Sequence, residues 1–190
     1  MVEAARPPAS QLQPFLSLAL LAAIGASLWA SVGPNGLFGA FLAVLMVAIA
    51  VTDHSRYIIP NELTASAFAL ALLRAGTVGP DADWYGVLWA TLRAAAIAGP
   101  FLALMIGYRR WRGRDGLGFG DIKLAAVAGA WLDWVTIFAV IELATLAALG
   151  AYFVNAYWRK RPLKATAFLP FGLFLAPAIW IGWLAEALLG

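Results

Sequence analysis

The sequence predicts an all-α protein, a polytopic transmembrane helical bundle of about six to seven spans with a cytoplasmic N-terminus. Hydrophobic residues make up 63% of the 190-residue chain and charged residues only 12%, a balance that does not fit a soluble domain of this size. Apolar runs approaching the length needed to cross hydrocarbon, about 17–25 residues, recur along the whole chain. Lysine and arginine fall in alternate connections between those runs, the asymmetry that orients membrane proteins.

The elements follow in order. Residues 14–32 form the first span, preceded by Arg6. A basic residue before an apolar stretch also fits a secretory signal, but this stretch is long and no small-x-small cleavage site closes it, so it reads as a retained span. Residues 36–52 form the second span, and 62–76, behind Pro60, the third. The fourth covers 84–108, the fifth 121–132, the sixth 135–158 and the seventh 168–189. The third and fifth are short enough to be tilted, interfacial or buried by their neighbours. No internal repeat or low-complexity linker interrupts the chain, and residues 1–190 read as one integral-membrane domain. Trp84, Trp111, Trp131, Trp134 and Trp158 lie near span ends, where amphipathic aromatic rings settle in the interface.

Charge sets the orientation. Arg6 precedes the first span and Arg56 follows the second; Arg109, Arg110, Arg112 and Arg114 follow the fourth, and Arg159, Lys160, Arg161 and Lys164 the sixth. The intervening connections, 33–35, 77–83 and the turn at Asp133, contain no lysine or arginine. With seven spans this alternation puts the N-terminus in the cytoplasm, and it puts Asp53 and Asp121 together at that face. The net charge of +3 therefore reflects orientation in a lipid bilayer, and nucleic acid is not an expected partner. A chain without cysteine has no disulfides, thiolate nucleophiles or thiolate zinc sites. The single histidine, His54, excludes a two-histidine metalloprotease helix. No metal cluster and no cofactor is expected.

Asp53 closes the run 40–52, and Asp121 opens the run 122–132. An ionisable group at the edge of hydrocarbon is a functional candidate, because such placement is costly. Each also has a structural reading: Asp53 as a solvated acid at a span end, Asp121 as a helix N-cap after the flexible Gly118-Phe119-Gly120 loop. The two glycines permit close approach of another segment, and the start of a helix favours a carboxylate. Pro60 stiffens the entry to the third span, and Asn61 is placed to cap it.

Taken together, the two segments are far more specific. Asp53 followed by Ile59-Pro60-Asn61-x-Leu63-Thr64, and later Gly118-Phe119-Gly120-Asp121-Ile122-Lys123-Leu124, resembles the signature pair of the type IV prepilin peptidases, GxGD-type aspartic proteases of the inner membrane. Residues 125–132, AAVAGAWL, extend the likeness. Length and span order match over nearly the whole chain. The resemblance implies a catalytic pair, Asp53 and Asp121, that removes the short basic leader from prepilin or pseudopilin precursors at the cytoplasmic face. Longer family members carry an N-terminal region with paired CxxC motifs and N-methylate the new terminus. Without cysteine or that region, this sequence resembles the short, peptidase-only form found with tight-adherence pili.

Lys123 occupies the lysine position of the family's GxGDxK pattern, with electrostatic support of the acid or substrate, or snorkelling to the interface, as its two readings. His54 is not assigned a role in catalysis. Arg93 and Glu142 fall at nearly matched depths, roughly 10–14 Å from the outer surface at 1.5 Å per residue. A structural ion pair between them is expected, because an isolated charge there is costly. The rival to the peptidase reading is a small proton-coupled transporter using Asp53, Asp121, Arg93 and Glu142 as relay groups. Against it, the motif acids lie at one face and no inverted repeat is visible. Which precursor is cut, and the oligomeric state, have no signature in the sequence.

Overall fold

A computed structural model describes residues 9–79, 82–113, 118–158 and 170–189. Among the described residues there are seven helices, α1 (Ala9–Ala30), α2 (Pro34–Arg56), α3 (Asn61–Thr77), α4 (Trp84–Arg112), α5 (Phe119–Trp131), α6 (Trp134–Trp158) and α7 (Gly172–Leu189). Each answers one predicted span, and no strand occurs among the described residues. The predicted start at residue 168 and the basic residues Arg6, Arg114, Arg159, Lys160, Arg161 and Lys164 lie outside the described residues.

Five of the helices, α1, α2, α4, α6 and α7, are long and apolar enough to cross a bilayer, so the chain is a multi-pass membrane protein. The other two are shorter. α5 has only 13 residues, about 20 Å at 1.5 Å per residue, against roughly 30 Å of hydrocarbon. It lies within the bundle, against α3, α4 and α7. Ile122, Leu124, Ala125 and residues 127–131 are all buried, which is why its sequence is apolar on every side. Gly129 makes the closest approach, since a Cβ there would sit 2.8 Å from the Cα of Ala94 on α4.

A helix that stops short leaves its last carbonyls in need of donors. Two arginines supply them. Arg93 Nε donates to the Gly129 carbonyl at 3.3 Å, and an Arg74 terminal nitrogen donates to the Trp131 carbonyl at 3.3 Å. Cations at this end also complement the helix dipole. Arg74 Nε further donates to Asn35 Oδ1 at 2.8 Å, and the Asp133 N–H donates to Glu186 Oε1 at 2.7 Å. One polar cluster thus joins α2, α3, α4, α5 and α7 where α6 begins.

This cluster corrects one expectation. Arg93 is bonded to Asp133, Nη1 to Oδ1 at 3.1 Å, whereas Glu142 faces outward on α6. Equal depth did not make Arg93 and Glu142 neighbours because α4 packs on α3 and α5, while α6 packs chiefly on α7. Arg93→Ala is expected to lower the thermal midpoint of the purified protein, because it strips a donor from α5 as well as the partner of Asp133. Glu142→Gln should leave the midpoint in place; equal losses in the two variants would restore the Arg93–Glu142 pair. Trp131 is a second correction. Trp84, Trp111 and Trp158 are exposed as interfacial rings should be, but Trp131 is fully buried, and its indole N–H donates to the Ala67 carbonyl at 2.9 Å. Its helix ends inside the protein.

Candidate active site

At the opposite end of the bundle, three helix termini converge on Asp53. The first is the end of α2 itself. Asp53 is only 5% exposed, and its helix stops three residues later. Tyr57 takes the left-handed conformation at φ 55°, ψ 34°, its N–H donating to the Asp53 carbonyl. It is the one non-glycine residue with positive φ among the described residues, a conformation that costs roughly 1–2 kcal/mol. The reversal sends the chain back, and Pro60, at φ −62°, ψ 139°, leads into α3. Between Tyr57 and Pro60, Ile59 is buried and fills the space between the other two termini. Ideal Cβ positions at Gly120 and Gly172 would lie 3.0 Å and 2.8 Å from Ile59 atoms.

The second terminus is the start of α5. Gly118 is its N-cap, so Asp121 is the third helical residue and not the cap itself. Its carboxyl turns back to the Gly118 backbone, the reciprocal half of a capping box. Burial, reinforced by the Asp53 charge and opposed by the bond to Gly118, pushes the Asp121 carboxyl up to about 6. A negative charge on Asp53 disfavours ionisation of Asp121. Asp53→Asn is therefore expected to lower the Asp121 pKa towards the ordinary carboxylate value, read from the side-chain carboxyl carbon by NMR. An unmoved titration would separate the two groups.

The third terminus is the start of α7. The Leu173 N–H donates to Asp53 Oδ2 at 3.0 Å. The sequence motifs do not include this contact, because a backbone donor leaves no side-chain signature; Pro170-Phe171-Gly172 reads only as a break before an apolar run.

The remaining motif residues frame these acids. Lys123 Nζ donates to Asn61 Oδ1 and lies over the Phe119 ring, 5.5 Å from its centroid. The lysine thereby ties the start of α5 to the start of α3. Asn61 is the first residue of α3 and makes no capping bond, so the expected cap is replaced by this cross-link. Gly118 and Gly120 sit where side chains would meet Asp121 and Ile59 respectively. An open pocket of about 340 Å³ adjoins the site, lined by Thr52, Arg56, Ile58, Ile59, Pro60, Asn61 and Glu62. Among the described residues no three acids or histidines gather in a way that would hold a metal ion.

Asp53, buried, and Asp121, half-buried, lie at one end of a helical membrane bundle, and the comparisons place the chain among the peptidases. The profile of the type IV leader peptidase family matches residues 40–154, and the chain belongs to that family. It is 35% identical to leader peptidase HopD of Escherichia coli over 145 residues, covering 74% of this chain and 88% of that protein. It is 35% identical to a prepilin leader peptidase/N-methyltransferase of Burkholderia pseudomallei over 178 residues, where it spans 54% of the relative's length. A prepilin leader peptidase/N-methyltransferase of Escherichia coli K12 is 31% identical over 181 residues, with 73% of its length covered. No solved structure matches the chain.

Proposed function

We propose that this peptidase removes the basic leader from prepilin-like precursors at the cytoplasmic face of the inner membrane, with Asp53 and Asp121 as one catalytic dyad. The observation that carries the reading is that Asp53 and Asp121, 68 positions apart in the chain (121 − 53), come within electrostatic reach of one another at one end of the bundle, the charge of Asp53 raising the pKa of Asp121. Such a pair holds one proton more tightly than a free carboxyl does. The ionised member takes a proton from water as its oxygen attacks the scissile carbonyl carbon, and the protonated member donates to the carbonyl oxygen. Collapse of the tetrahedral adduct breaks the C–N bond, and the proton held by the base passes to the departing amine. Water is the only co-reactant.

The side of the membrane rests on charge: Arg56 is two residues beyond His54, and Arg109, Arg110 and Arg112 end α4 just before the loop to Asp121. The reading covers peptide-bond hydrolysis alone, since these 190 residues contain no cysteine from which paired CxxC motifs could be built.

Purified protein given a synthetic precursor, a Lys/Arg-rich leader joined to an apolar segment of about 20 residues, should release the leader by one cut at the junction. A precursor that stays intact with the wild-type protein contradicts the proposal. In the same cysteine-free background, Ser55→Cys, exposed beside Asp53, should resist an impermeant maleimide applied to the outside of intact cells. Rapid labelling there would reverse the orientation.

A further inference from the structure

We infer that Gly172 and the Leu173 backbone N–H form a third, positioning element of the aspartate centre, which fixes the carboxylate of Asp53 in one orientation before substrate arrives. The inference rests on the dyad reading above and names what holds one of its members in place.

A carboxylate near the end of a helix has two free torsions and offers about four lone-pair sites, so burial alone does not aim it. The start of α7 does. Leu173 N–H donates to Oδ2 at 3.0 Å, and the Gly172 N–H faces the same group. Successive N–H groups form a small anion-binding concavity. The glycine is what lets it close. An ideal Cβ at Gly172 would stand 2.9 Å from Asp53 Oδ2, 3.1 Å from its Cγ and 2.8 Å from Ile59 Cδ1. Any side chain there displaces either the carboxylate or Ile59. Asp53 is therefore held by backbone donors on one side and faces Asp121 electrostatically, with Ile59 as a spacer between α5 and α7. Misplacing a reacting group by about 1 Å lowers rates by about a hundredfold.

The two contacts of the missing Cβ can be separated. Gly172→Ala should lower kcat for the synthetic precursor about tenfold to a hundredfold, with KM little changed. Ile59→Val in the same background removes the Cδ1 contact but leaves the clash with Asp53, so it should not restore kcat. Replacing Leu173 by its α-hydroxy analogue turns the 172–173 amide into an ester, deletes the donor and keeps every side chain. This ester variant should show the same kcat loss, and it carries the test alone if Gly172→Ala does not fold. Wild-type kcat in the ester or in Gly172→Ala, or recovery on adding Ile59→Val, overturns the positioning role. Full cleavage by Asp53→Asn overturns the dyad reading itself, a different result from the same assay.

Discussion

Asp53→Asn and Asp121→Asn are each expected to slow leader release by roughly 10²–10⁴-fold, the range that a positioned general acid or base contributes. Asparagine keeps the shape of the side chain and an acceptor oxygen, but it cannot exchange the proton. The loss should therefore appear in kcat without loss of fold. For Asp121 the sign of the stability effect follows from its raised pKa. Because the folded-state value, about 6, lies above the ordinary 3.8, the folded protein binds the proton more tightly than the unfolded chain between those values. Stability thus declines as pH rises through that window, and the charged form is carried at a penalty above it. Asp121→Asn never carries the charge, so its thermal midpoint at pH 7.5 should equal or exceed that of the wild type. A variant that loses both activity and midpoint would point to a structural acid.

The largest effect on stability is expected at the other end of the same helix pair. α2 and α7 pack along much of their length, bringing Asp53 to the start of α7. The packing depends on Gly39. An ideal Cβ at this position would lie 1.8–2.3 Å from the ring of Trp183, which is fully buried. The indole is confined, so it cannot simply turn aside; at its neighbour Gly182 even a Cβ would meet Val140 and Thr136 of α6. Gly39→Val forces α2 from α7 or expels the ring. Overpacking of this kind costs typically about 1–3 kcal/mol and sometimes more. A clear fall in the thermal midpoint should result, accompanied by reduced cleavage because the Leu173 donor moves with α7. Unchanged stability would mean that the two helices are not seated on this contact.

The number of helices and their order were legible because apolar runs and charged connections alternate, a pattern set by the bilayer alone. The motif acids were legible because an aspartate next to hydrocarbon is conspicuous. Azimuth was not. Depth along a helix is countable from sequence, so Arg93 and Glu142 matched, but the face each presents depends on which helices are neighbours. α5 is inserted beside α4, and Arg93 meets the Gly129 carbonyl and Asp133 instead. Trp131 failed for the same reason, since the end of a short buried helix looks like the end of a span. Asn61 carries a capping side chain, yet Lys123 reaches it from α5. The α7 contribution was hidden more deeply, because the groups that meet Asp53 are backbone N–H donors and the absence of a side chain at Gly172.

The central claim is that Asp53 and Asp121 act as one unit. It is tested most directly by precursor cleavage with wild type, the two single Asn variants and the double variant, followed in one purified preparation each. Groups that share one proton and one water fail together. The double variant should therefore cleave no more slowly than the slower single variant. Losses that multiply, or wild-type cleavage by either single variant, would contradict it.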